Sequence, residues 1–396
     1  MSRTLGALVV LVAVGAACAD AGPEDGRPGS QDQGSTWVQT PPSPLTPRYG
    51  AHAFWVSDRV VVAGGFASDP CPPGADCALP SKPPLRDGAA LDPATGQWRP
   101  ISEAPVPLGW VSGAVLGSRV YLWVEETGVG SSRAFLAYDA EADRWEELPA
   151  PPVGGDHGYA LAAGGDRIVA YQGSQESGVR SDLAYDTASG TWSELPADPL
   201  IPSFDRTMVW TDAGLVLIGI ENVPQPGSEG PALYRAAVLD LESRSWRRLA
   251  DSEVTGSDPS WFWSGGLVVN PTLGTSDDGG VGSWGRAYPH GGILDPIQGA
   301  WLPLPDPPTP GEPFPFVATG GGEYVASFSG WALHVPTGTW LELPPPPGVA
   351  HEGPAITWAG DGLFVWGGVR WNGAEPTLQS DGWLWEPRSS STPSSA

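Results

Sequence analysis

Apolar runs of a few residues, each cut off by glycine, proline or aspartate, recur along residues 37–387. Residues 60–63, 120–123, 168–171, 215–218 and 363–366 are short and rich in Val, Ile, Leu and aromatics, and turn residues follow them. That combination predicts buried strands. A second element repeats downstream of such runs: an apolar residue, then Asp, then Trp six positions after the Asp. It reads Leu91-Asp92…Trp98, Tyr138-Asp139…Trp145, Tyr185-Asp186…Trp192, Leu239-Asp240…Trp246 and Leu294-Asp295…Trp301. A sixth copy, Leu333-His334…Trp340, has His in place of Asp. Gly96, Gly190, Gly299 and Gly338 fall four positions after the Asp site, where a hairpin turn ends on a residue with positive φ. The Asp that opens each turn is placed to cap backbone amides.

Successive Trp of this element are 47, 47, 54, 55 and 39 residues apart, the period of four-stranded blades. A blade cannot bury both of its faces alone, so blades must stack around an axis. Beyond Trp340 the chain has only three strands, ending at Trp383-Leu384-Trp385-Glu386. The missing strand is at the other end, Thr36-Trp37-Val38-Gln39. The pattern therefore predicts an all-β chain, a seven-bladed β-propeller with four-stranded antiparallel blades. Its last blade is closed by the N-terminal strand, which removes the open sheet edge. The Gly64-Gly65 and Gly367-Gly368 pairs, the Tyr138-Asp139 and Tyr185-Asp186 pairs and the spaced Trp resemble the kelch repeat family over residues 37–387. That resemblance implies a recognition scaffold, and the family also includes copper radical oxidases and a sialic-acid epimerase. The oxidases need a further C-terminal domain and a Tyr–Cys cross-link.

Composition agrees with many short strands and many turns: 54 Gly and 45 Pro, yet 40% apolar residues and 20 Trp in 396. Net charge is −25, so no basic face is available to neutralise nucleic-acid phosphates. The first residues read as a leader of residues 1–20. Arg3 precedes an apolar run over 5–17, too short for the roughly 20 residues of a membrane helix. Gly15-Ala16-Ala17-Cys18 resembles a bacterial lipobox, which implies lipidation at Cys18; ordinary cleavage after Ala19 or Ala21 stays open. Residues 21–36 lack large apolar side chains and read as a flexible tether, and 388–396 as a disordered Ser-rich tail. If Cys18 is acylated, Cys71 and Cys77 remain as a pair in a Pro/Gly-rich loop, which points to a disulfide. The expected location is extracytoplasmic, as a cell-envelope lipoprotein or a secreted protein. Any membrane contact would run through the lipid alone, and the chain is expected to be a monomer.

Most of the Trp have packing roles. Trp37 and the six repeat Trp share one position, Trp55, Trp210 and Trp358 another, and Trp123 and Trp366 a third. Trp110, Trp261, Trp263, Trp284 and Trp371 fit no repeat position. Loops between blades, and loops joining second and third strands, open on one face and vary most in length, with inserts at 66–86 and 270–289. Residues just before each inner strand ring the channel mouth on that face. They are Arg48, Trp110, Asp156 with His157, Asp205 with Arg206, Trp261, Phe316, and His351 with Glu352. The arginines suit carboxylates or phosphates, the Trp suit stacking faces, and Arg48, His351 and Glu352 are expected to converge. The expected function is recognition of a glycan, peptide or protein at this mouth, with no cofactor and no metal. The alternative is a propeller enzyme acting on a carbohydrate or other small molecule, such as an epimerase, lyase or oxidase. Neither a nucleophile elbow nor a phosphate loop nor an HExxH motif is present.

Overall fold

A computed structural model describes residues 36–72, 82–125, 133–152, 158–222, 231–255, 260–276, 286–306, 308, 318–348 and 352–387. Seven four-stranded antiparallel sheets account for nearly all of its strands. Blade 1 shows the pattern, with strands His52–Val56, Arg59–Ala63, Gly88–Asp92 and Gln97–Pro100 from the axis outward. The inner strands of blades 2 to 6 are Val111–Leu116, Ala160–Gly164, Ser203–Thr211, Phe262–Ser264 and Thr319–Gly321. Blade 7 runs Ala355–Ala359, Gly362–Trp366, Gly382–Glu386 and, as its outer strand, Thr36–Gln39. The N-terminal strand pairs antiparallel with the end of the domain, Trp37 opposite Trp385 and Val38 opposite Leu384. The propeller is thus seven-bladed and closed between its ends.

The turns explain why Asp and Trp repeat at fixed spacing. Asp92 Oδ1 accepts the amides of Ala94 and Thr95 at 2.9 and 3.2 Å, and Gly96, at φ 68°, closes the hairpin onto the Asp92 carbonyl. Asp139, Asp186, Asp240 and Asp295 cap their turns in the same way. Where Gly is missing, Asp143 and Arg244 take the positive φ themselves. His334 replaces the cap with its ring, Nδ1 lying 2.7 Å from Thr337 Oγ1.

The turn delivers each Trp to the blade before it. The indole of Trp98 donates to the Pro41 carbonyl, Trp145 to Ser102, Trp192 to Pro149, Trp246 to Pro196, Trp301 to Ala250 and Trp340 to Pro305. Trp37 makes the same bond to Pro344 at 2.7 Å, from blade 7 to the segment leaving blade 6. One indole bond therefore repeats around the whole ring. The apolar core is divided in the same way, with one buried cluster at each junction between adjacent blades. The blade 7–blade 1 junction packs Phe364 and Trp366 against Val60, Val62 and Leu91.

In every blade the inner strand leaves the face on which the inter-blade segments arrive. That connector face also holds the second-to-third-strand loops; the opposite face holds only tight hairpins. The insert at 270–289 pairs Thr275–Ser276 with Tyr288–Pro289. A third insert, which the sequence pattern did not single out, is a hairpin of Val369–Asn372 with Glu375–Leu378 in blade 7.

Candidate functional site

Arg48 precedes the inner strand of blade 1, as its place in the repeat predicts, but its side chain is fully buried. Its guanidinium grips Asp87 with two bonds of 2.7 and 2.9 Å and also donates to the carbonyls of Thr46 and Gly64. That arginine holds the Asp87 carboxyl below the usual carboxylate range. The bidentate pairing expected for a ligand is thus made inside the protein.

Arg206 repeats the arrangement at the junction of blades 3 and 4. It is 2% exposed, pairs with Asp182 at 2.7 Å and Asp198 at 3.0 Å, and donates to the Gln172 carbonyl at 2.7 Å. Burial raises the Asp198 carboxyl despite this partner. Asp205 sits at φ 48° in the register shift between Phe204 and Thr207, the bulge that turns the Arg206 side chain inward. Trp261 is 2% exposed and packs edge-to-face on Tyr234 and Trp301, with centroids at 5.2 and 5.5 Å. Arg48, Arg206 and Trp261 therefore brace blades and present nothing to solvent.

The sequence holds a signal for those partners. Asp87, Asp182 and Asp381 each stand directly before a third strand, so the Asp is a repeat position of its own.

Other ring positions remain open. Trp110 is 60% exposed, and its carbonyl accepts the Glu125 amide at 3.0 Å. Glu125 is half-buried, and its carboxylate lies where a side chain on Gly158 would have to go. Glu352 is exposed and accepts the Trp371 indole N–H at 2.7 Å, so it does not pair with Arg48. Tyr49, half-buried beside it, stacks on Phe66 at 5.3 Å. Burial pushes the Tyr49 hydroxyl above its ordinary range, and the nearby Glu352 and Asp69 carboxylates push it further. Backbone bonds tie these positions together: Gly50 N–H to the Gly353 carbonyl at 2.7 Å joins blades 1 and 7, and Gly65 N–H to Leu108 at 2.8 Å joins blades 1 and 2. The result is an arc over blades 7, 1 and 2 carrying aromatic faces and carboxylates. Tyr49, Glu125 and the seat of Trp371 beside Glu352 escaped the sequence reading, because an insert and two strand ends supply them.

His52 lies just below this arc, its Nε2 2.7 Å from the Gly109 carbonyl; burial holds its pKa below the ordinary imidazole value. Arg370, on the blade 7 hairpin, donates to the Gly348 carbonyl and the Gln379 side chain. The positions proposed from sequence at Asp156, His157, Phe316 and His351 lie outside the described residues, as do Cys18, Cys77, Trp284, the leader, residues 21–35 and the tail; Thr36, read as the last tether residue, instead opens the outer strand of blade 7. Among the described residues no group of three or more His, Cys, Asp or Glu is placed to hold a metal ion. No protein-family model matches this chain, and no curated protein shows significant sequence similarity to it.

Proposed function

We propose that this protein is an extracytoplasmic, kelch-like binding protein that takes a glycan, peptide or protein ligand at the connector face of blades 7, 1 and 2. The observation that supports the reading is the arc itself. Trp110, Trp371, Tyr49 and Glu352 lie on the connector face of blades 7, 1 and 2, while Arg48, Arg206 and Trp261 are buried and Asp205 is half-buried. Rigid blades with variable connector loops are the usual arrangement for recognition, since the scaffold fixes the geometry and the loops supply the chemistry. In this reading Cys18 carries the lipid anchor, or is removed with the leader, and residues 21–35 hold the propeller clear of the membrane surface. A Cys71–Cys77 disulfide fastens the loop beside Tyr49 and Phe66. A propeller of this kind is equally compatible with catalysis, but the described arc carries no recognisable nucleophile–base pair.

The test is capture of ligands from glycan and peptide arrays by the full chain. Trp110→Ala and Glu352→Gln should each lower capture of the selected ligand by roughly tenfold. Neither should shift the unfolding temperature, because both side chains are exposed. Capture that is undiminished in both variants would place recognition elsewhere.

A further inference from the structure

The inner strands end at the hairpin face, and there the propeller carries a second, different concentration of aromatic surface. Phe54 and Trp55 end blade 1, Trp210 ends blade 4, Phe262 and Trp263 end blade 5, and Trp358 ends blade 7. Four of these rings, Phe54, Trp210, Phe262 and Trp358, rest on a glycine of a neighbouring blade. A side chain on Gly113 of blade 2 would collide with Phe54, and one on Gly164 of blade 3 with Trp210. Blade 6 supplies glycine for both of its neighbours: a Cβ on Gly320 would overlap Phe262, and one on Gly321 would stand 2.8 Å from Trp358 Cβ. It contributes no aromatic of its own, because its inner strand ends Thr319–Gly321 before Gly322. The inner strands of blades 2, 3 and 6 carry no aromatic, and beside blade 6 the backbone of residues 320–322 borders a recess shared with blades 1 and 7.

That recess has a volume of about 350 Å³. It is lined by half-buried Phe54 and Trp55, by Val115 and by the backbone of residues 320–322, with Thr357 and Asp361 at its edge; Trp358 borders it but is buried in the blade 6–blade 7 core. Asp361 is exposed, and its Oδ1 would be 3.8 Å from a Cβ placed on Gly322, so it leans from blade 7 across the gap. Its carboxylate makes no hydrogen bond or ion pair among the described residues. Thr357 Oγ1 has only a long, 3.4 Å contact to the Trp358 carbonyl.

Aromatic walls, a bare backbone floor and hydroxyl and carboxylate oxygens at the rim match one ligand chemistry. A pyranose presents apolar C–H faces to aromatic rings and a belt of hydroxyls to acceptors. A purely apolar molecule would strip water from Asp361 and return no hydrogen bond. An anionic sugar would meet Asp361 and a chain of net charge −25. We propose that this recess is a second binding site, for a neutral hexopyranose ring, on the face opposite the connector arc. Trp55 and Phe54 stack on the ring, and Asp361 and Thr357 accept its hydroxyl protons.

The test uses the full chain with methyl β-D-glucopyranoside, methyl β-D-galactopyranoside, methyl α-D-mannopyranoside and D-glucuronate, read by saturation-transfer NMR and titration calorimetry. At least one neutral glycoside should bind with its ring C–H protons saturated, and glucuronate at least tenfold more weakly. Asp361→Ala and Thr357→Val each keep the fold, shown by an unchanged unfolding temperature, and should weaken that glycoside by tenfold or more. Trp110→Ala should leave it unaltered. Binding of none of the three glycosides would overturn the proposal. So would binding indifferent to Asp361→Ala, binding lost in Trp110→Ala, or glucuronate bound as tightly as the neutral sugars.

Discussion

Arg206→Met should lower the stability of the domain by about 3–5 kcal/mol, the largest effect expected of any single polar substitution. The guanidinium is fully buried, and Asp182 and Asp198 on either side of it are 7% and 4% exposed at their side chains. Three charged groups are thus removed from water with a net charge of −1. Asp198 already sits above its ordinary pKa because desolvation outweighs the attraction of Arg206. Without the arginine, two carboxylates would face each other with no counter-charge, and the junction would have to open or take up protons. The comparison that isolates this cause is Arg206→Met combined with Asp182→Asn and Asp198→Asn, which should recover more than half of the loss. Chemical denaturation of the single and triple variants measures both quantities. A single-variant loss below about 1 kcal/mol would mean that the triad is solvated and that Arg206 is free to meet a ligand after all.

The next largest effect is expected at a residue with no side chain. Gly164→Leu should cost about 1–3 kcal/mol, since any Cβ there overlaps the Trp210 ring and a leucine must push that ring out of the blade 3–blade 4 junction. Trp210 packs on the cluster of Val169, Leu215 and Leu217, so its displacement disturbs the core and not only the surface. In the double variant Gly164→Leu/Trp210→Ala the two costs should compensate in part, giving a measurable coupling energy. Additive losses would show that the ring and the glycine do not meet.

These two residues mark what was and was not legible in the sequence. The blades were legible because the Asp-capped turn and the Trp that follows it obey one local geometry, repeated with little change. Even the split seventh blade followed from where Trp37 stands and where the last Trp is missing. The indole bonds to the preceding blade were not, because a Trp in a strand reads as packing surface and its N–H leaves no trace in spacing. The candidate ring fared unevenly for a related reason. Register alone puts Arg48, Trp110, Arg206 and Trp261 at the same mouth, but only Trp110 is exposed there. Which way a side chain turns depends on partners remote in sequence, such as Asp87, 39 residues from Arg48, or on a bulge such as the one at Asp205. Trp371 reaches the arc on an insert that belongs to no repeat. The hairpin-face recess lies where the glycines of blade 6 meet the strand ends of blades 7 and 1, a contrast visible once the blades are laid side by side.

Ring closure by residues 36–39 underlies the whole arrangement, since it brings blade 7 and its Glu352 beside blade 1 and Tyr49. It is tested most directly by a cross-strand disulfide. Val38 and Leu384 are directly paired in the closing strands; Val38 is 57% exposed, and Leu384, half-buried beside the blade 7–blade 1 core, is replaced by a smaller side chain. Val38→Cys/Leu384→Cys should oxidise within one chain, giving a linked peptide by mass spectrometry and a raised unfolding temperature. Val38→Cys/Glu386→Cys, two residues out of register, should link poorly. Failure of the first pair to link within one chain, or efficient linking of the second, would contradict closure in this register.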